Sequence, residues 1–174
     1  MCRPICFLLL FICGGCNQAV ESSPEPVGNS MLEVNRIRLY LPDDVFGPRV
    51  GNDAQGLADY ARALQARADL FWSEHDAEDV QGFFVAIAVK PSGESRMWCD
   101  AIEGTIDENM LREFEQDLAS VTPVKVQHGP IAFAMEFYFK GSEIMFPVFP
   151  SAWVNAGESL EIPDGLFEKI WPDK

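Results

Sequence analysis

The segment GPIAFAMEFYFK, residues 129 to 140, constrains the fold more than any other part of the chain. Ile131, Phe133, Met135, Phe137 and Phe139 stand at every second position, with Ala132, Ala134, Glu136, Tyr138 and Lys140 between them. A period of two is that of a β-strand, whose successive side chains point to opposite faces of a sheet. One face is bulky and must be covered by another layer, and the other is nearly flat.

FFVAIAVK repeats the arrangement. Phe83, Val85, Ile87 and Val89 lie on one side, and Phe84, Ala86, Ala88 and Lys90 on the other. PSGE has hairpin chemistry, with Gly93 supplying the positive φ that a tight reversal needs. SRMWCDA returns as the partner strand, Met97 and Cys99 on one face and Arg96, Trp98 and Asp100 on the other. Earlier, VNRIRLYL alternates Ile37, Leu39 and Leu41 with Arg36, Arg38 and Tyr40, the pattern of a half-buried strand.

Two helices fit between the strands. PDDVFGPRVGN is expected as a loop, after which Asn52 or Asp53 caps a helix bearing Leu57, Ala61, Leu64, Ala68 and Phe71 on one stripe. TIDE offers a capping box, with Thr105 as the cap and Glu108 reaching back, before a second stripe of Leu111, Phe114, Leu118 and Val121. The order strand, helix, strand, strand, helix, strand resembles the split βαβ arrangement of ferredoxin-like folds. The fold expected is α+β, a two-layer sandwich with two helices on one face of an antiparallel sheet. The C-terminal stretch FPVFPSAWVNAGESLEIPDGLFEKIW has too many prolines for a central strand and is expected to wrap the domain irregularly. Residues 82 to 140 also resemble, in element order, the hairpin, helix and long strand of TonB-type C-terminal domains, which are periplasmic protein-binding modules.

The chain begins MCRPICFLLLFICGGCNQ. Arg3 gives a positive start, and the apolar run from Ile5 to Ile12 stops far short of the roughly 20 residues that span a bilayer. Gly14-Gly15-Cys16 resembles the lipobox of bacterial lipoprotein precursors, except that Cys13 stands where the family usually has Leu. The resemblance implies a signal peptide over residues 1 to 15 and lipidation of Cys16 by a diacylglyceryl group, a membrane anchor of the strength that stable attachment needs. The alternatives are an ordinary cleaved signal and a core segment of a cytosolic protein. By analogy with enteric lipoproteins, Asn17 favours the outer membrane. NQAVESSPEPVGNS, completing residues 16 to 30, has little to bury and is expected as a disordered tether, leaving residues 31 to 174 as one domain.

If Cys2, Cys6 and Cys13 leave with the signal and Cys16 is acylated, Cys99 is the sole remaining thiol and no internal disulfide forms. Arg3 is the one charged side chain before Cys16, so the chain beyond it holds 12 of the 13 Lys+Arg against 27 Asp+Glu, a formal charge of −15. Nucleic acid is excluded as a partner by that balance.

No catalytic constellation emerges. His75 lies in the acidic turn SEHDAED, among Glu74, Asp76, Glu78 and Asp79, where a hard cation would find oxygen ligands, yet the EF-hand spacing is absent. His128 sits in a turn, far from the spacing a metal site needs, and Cys99 belongs on the covered face of its strand, where thiols are inert. PSGES lacks the order of a nucleophile elbow, and GPRVGNDAQG lacks the Lys of a phosphate loop, leaving Arg49 alone. No metal and no cofactor is expected. Phe84, Trp98 and Tyr138 on the alanine-rich face form a candidate partner surface. The competing expectation is that Phe146, Phe149, Trp153, Phe167 or Trp171 covers that face as a second small core.

The function expected is that of a non-catalytic cell-envelope lipoprotein, anchored in a membrane and facing the periplasm, that binds an envelope protein. An immunity lipoprotein neutralising a basic secreted toxin is the alternative, favoured by the acidity. A hydrolase would need a triad or metal cluster that the spacing does not provide.

Overall fold

The computed structural model describes residues 32–75, 80–139, 145–156 and Trp171. The signal segment, Cys16, the tether, Asp76, Glu78, Asp79, Lys140 and Phe167 lie outside the described residues. The elements are β1 (Leu32–Leu39), α1 (Asp43–Arg49), α2 (Ala54–Glu74), β2 (Gly82–Val89), β3 (Ser95–Ile102), α3 (Glu108–Ala119), β4 (Ile131–Phe139) and α4 (Ser151–Ala156).

The four strands form one sheet in the order β1-β4-β2-β3, antiparallel at every junction. β1 and β2 both run opposite to β4 between them, so they are parallel to each other, and α2 is the crossover that joins them. β3 and β4 are parallel across β2 in the same way, joined by α3. The two crossovers therefore interleave, leaving β4 and β2 in the centre and β1 and β3 at the edges.

The bulky rows all face one layer. Phe83, Val85, Ile87, Met97, Cys99, Phe133, Met135 and Phe137 pack with Tyr60, Leu64, Ala68, Phe71 and Trp72 of α2 and with Phe114 and Leu118 of α3. At its centre the Trp72 ring stacks on Phe83 at 4.4 Å between centroids, and Phe114 tilts against both. The fold is thus an α+β two-layer arrangement with both long helices on one face, as the alternation demanded.

Two local features, α1 and the start of α3, differ from expectation, and at α2 one of two expected caps is selected. The segment after β1 is partly helical, forming α1 despite Pro48, because burial of Phe46 rewards a turn whose first residues, Asp43 and Asp44, suit a helix N-terminus. α2 is capped by Asp53, which accepts from the Gly56 amide at 2.8 Å, so the second of the two candidates serves. α3 begins later than the capping box implied. Its cap is Asp107, accepting from the amides of Asn109 and Met110 at 2.9 and 3.2 Å, and Glu108 is its first residue. An aspartate two residues closer to the apolar stripe satisfies the same orphan amides that Thr105 would have taken.

The cap is testable. Asp107→Ala is expected to cost about 1 kcal/mol in urea denaturation, the usual value of a cap. Thr105→Ala, exposed and outside the helix, is expected to stay within about 0.5 kcal/mol of the parent.

Candidate functional site

The alanine-rich face is covered. Phe84 is 0% and Trp98 7% exposed, in a second core with Ala86, Ala88, Ala132, Ala134 and Trp153. Phe146, Phe149 and Trp171 pack on its rim. Row after row of alanine lets the Trp153 indole approach the sheet, where it meets Trp98 edge-on at 5.2 Å. The Tyr40 ring stacks on Phe149 at 5.2 Å, and its hydroxyl donates to the Val148 carbonyl at 2.9 Å. α4 is pinned to β3 by Asp100, whose carboxylate accepts from the Ser151 amide at 2.7 Å and the Ser151 hydroxyl at 2.6 Å. Phe84 and Trp98 are accordingly not an open docking surface, because the C-terminal stretch fills it. Tyr138 is half-buried beyond this core and donates its hydroxyl to Glu33 Oε2 at 2.6 Å.

Beside this core lies a charged cluster that the sequence did not single out. Glu136, on the same face of β4, is fully buried. Its carboxylate accepts from Asn35 Nδ2 at 2.9 Å, from Arg36 Nη2 at 2.9 Å and Nε at 3.2 Å, and from Arg38 Nη2 at 2.8 Å. Strand alternation would send Asn35 and Arg36 to opposite faces. A β-bulge between Val34 and Arg36 sets two residues against one, so that both reach the same carboxylate. The signal was a break in parity, with Leu32 and Val34 at even positions and Ile37 and Leu39 at odd ones.

Burial pulls the Glu136 carboxyl upward, but the hydrogen bonds from Arg36, Arg38 and Asn35 outweigh it and hold its pKa below the ordinary glutamate value. The cluster is unequal in charge, two guanidiniums meeting one carboxylate. Arg38 Nε is buried without a hydrogen-bond partner among the described residues.

The two sheet edges are finished differently. At β3, α3 packs alongside and Glu115 accepts the Cys99 amide at 2.8 Å. At β1, Ile37 and Leu39 stand on the helix-side face yet are 42% and 39% exposed. α2 meets this strand near its start, where Asp69 accepts the Leu32 amide at 3.0 Å.

The remaining candidates take structural places. Cys99 is buried beneath α3, and burial with the nearby Glu115 and Asp100 carboxylates pushes its thiol well above the ordinary value, which makes it a poor nucleophile. His75 stacks on Phe71 at 4.1 Å and its Nδ1 lies 2.7 Å from the Phe71 carbonyl at the end of α2. His128 has φ of 62° in the turn before β4. Arg49 Nη1 donates to the Pro130 carbonyl at 2.6 Å, lying against Gly129, so its guanidinium straps α1 to that turn. A cleft of about 540 Å³ opens between the α1–α2 turn, the β2–β3 turn and residues 122–127, but Asp53 in its wall is already the cap of α2. Among the described residues no three His, Cys, Asp or Glu side chains group as metal ligands, and no helix is long and apolar enough to cross a membrane.

Comparison of the chain with family models, with curated proteins and with solved structures finds no match.

Trp153→Ala is expected to cost about 3 kcal/mol in urea denaturation and to raise binding of a hydrophobic dye, since it uncovers Phe84 and Trp98. Glu136→Gln is expected to cost about 3 kcal/mol, because it leaves Arg38 facing no carboxylate, whereas Arg36→Ala, at a 57% exposed side chain, is expected to cost less than about 1 kcal/mol. With its folded pKa lowered, Glu136 stabilises the fold fully above the glutamate value of 4.5 and loses that contribution as pH falls through the folded value. The parent is therefore expected to lose stability on acidification below about pH 4.5 more steeply than the glutamine variant.

Proposed function

We propose that the chain is a cell-envelope lipoprotein, held at a membrane by a lipid on Cys16, whose α+β domain works by binding another protein rather than by catalysis. The observation that carries this reading is Gly14-Gly15-Cys16 at the end of a short apolar run that follows Arg3. The first described strand starts at Leu32, so residues 17 to 30 stand between the anchor and the fold. At about 3.3 Å per residue such a segment reaches roughly 45 Å at full extension and less on average, enough to hold the domain clear of the headgroups. The periplasmic face of the outer membrane is the proposed location, following Asn17.

The ferredoxin-like likeness belongs to this proposal only in the order of elements and the two crossovers, the sheet order β1-β4-β2-β3 being this chain's own. The TonB-type likeness rests on β2, β3, α3 and β4 in succession, with β1 added on the outer side of β4. The second reading, an immunity lipoprotein, is favoured by the charge of −14 over the whole chain, which steers a cationic toxin toward it.

The anchor is tested by expressing the intact chain in a bacterium with an outer membrane and taking the mass of the mature N-terminal peptide. A diacylglyceryl-modified Cys16 in the membrane fraction, with Cys16→Ala released from it, is the expected result. An unmodified Cys16 recovered away from membranes would overturn the reading.

A further inference from the structure

We propose that the outer edge of β1 takes an added β-strand from a partner protein, one that sets apolar side chains against Ile37 and Leu39 and a carboxylate against Arg36 and Arg38. The proposal rests on the reading of the domain as a protein-binding module and names where and what it binds.

The backbone provides the first argument. The Tyr40 amide donates to the Ala132 carbonyl at 3.2 Å, which makes these two a hydrogen-bonded pair. Antiparallel ladders alternate, so Arg38 with Ala134 and Arg36 with Glu136 are also hydrogen-bonded pairs in the observed register. The amides and carbonyls of Ile37 and Leu39 therefore point away from β4, outward from the sheet. Edge strands of this kind are templates for another strand unless blunted by charge, proline or a covering element. β3 has such cover in α3 and Glu115. The stretch from Arg36 to Leu39 has no proline and no covering element among the described residues, its two arginines are both engaged by Glu136 on one face, and the bulge of β1 lies before it.

The side chains provide the second. On the helix-side face, Ile37 and Leu39 offer two half-exposed apolar side chains next to each other in the alternation. On the opposite face, Arg36 and Arg38 share the single carboxylate of Glu136, and the Arg36 side chain is 57% exposed. Glu136 is wholly buried while the Arg36 guanidinium reaches solvent, and Glu33 lies further toward the start of the strand with Tyr138, so the charge that Arg36 to Leu39 presents outward is positive, within a chain of formal charge −14. A strand alternating apolar and acidic residues complements both faces at once, the main-chain bonds giving affinity and the alternation giving register.

A second copy of the chain fits less well. Antiparallel pairing of two β1 edges that sets Ile37 against Leu39 also sets Arg38 against Arg38, and like charges directly opposite destabilise a pair. It further brings two strongly acidic bodies together.

The test uses the intact chain, purified in detergent with its own N-terminus, and the capped peptide Val-Glu-Val-Glu-Val as probe. Hydrogen exchange at single-amide resolution is expected to slow at least tenfold for Ile37 and Leu39 at saturating peptide, with the Ala132 and Ala134 amides unchanged. The Val-Lys-Val-Lys-Val peptide is expected to bind at least tenfold more weakly, as is the Val-Glu peptide to Ile37→Lys or Leu39→Lys, two exposed changes that spare the core. Unslowed exchange at Ile37 and Leu39 overturns the proposal, and so does equal binding of the lysine peptide. Concentration-dependent protection of the same amides without peptide, with a dimer in sedimentation, overturns it in favour of a second copy. Crosslinking of an envelope protein to a surface away from β1 overturns it while leaving the protein-binding reading standing.

Discussion

The fold depends on the unequal faces of β4. This strand lies between β1 and β2 and pairs with both, so each of its side chains is enclosed by neighbours on two sides. On the helix side its residues are Ile131, Phe133, Met135, Phe137 and Phe139, and on the other they are Ala132, Ala134, Glu136 and, at the end, Tyr138. Large side chains on one face hold α2 and α3 away from the sheet at the spacing a thick core requires. Small ones on the other face let Trp153 settle almost on the backbone, so a six-residue helix suffices as cover. Exchanging the rows would leave a cavity under the helices and overfill the space below α4. Both defects are costly in interiors packed as tightly as crystals.

Much of this was legible because periodicity reports burial directly. β2 and β4 alternate in size over most of their length, β3 is fixed as their partner by the PSGE turn, and the stripes of α2 and α3 repeat at helical spacing, so their types and inner faces followed. What escaped depended on tertiary context. Asp107 and Thr105 are both good caps by chemistry, and only the packing of Met110, Leu111 and Phe114 decides which amides are orphaned. α1 and α4 are short helices in proline-containing segments, where propensity argues for loop. Each forms because one aromatic residue, Phe46 or Trp153, is buried by it. The cluster at Glu136 was hidden for a different reason. Its ligands come from β1, about a hundred residues away in sequence, and the bulge that gathers them leaves only a change of parity as its trace.

Charge is distributed with the same asymmetry. Acidic side chains outnumber basic ones two to one, and among the described residues most of them are exposed, where solvent screens them at little cost. Glu136 is the exception, a carboxylate taken wholly out of water. It is held there by bases drawn from β1, the first strand of the domain. Burial of such a pair adds little net stability but punishes any other register, since a slip of one residue would strand a charge in the interior. The bulge and the salt bridge thus specify where β1 docks more than how strongly.

The cover over Phe84 and Trp98 is made by residues that follow the whole sheet in chain order. β1 to β4 are complete at Phe139, whereas Trp153 and Trp171 follow later. As the polypeptide emerges from N- to C-terminus, a finished sheet therefore shows water a greasy floor until its lid arrives. In that interval the nascent domain is at its most adhesive, and a holding chaperone has its best purchase. A chain cut short before Trp153 would hold all four strands yet leave one side of the sheet raw.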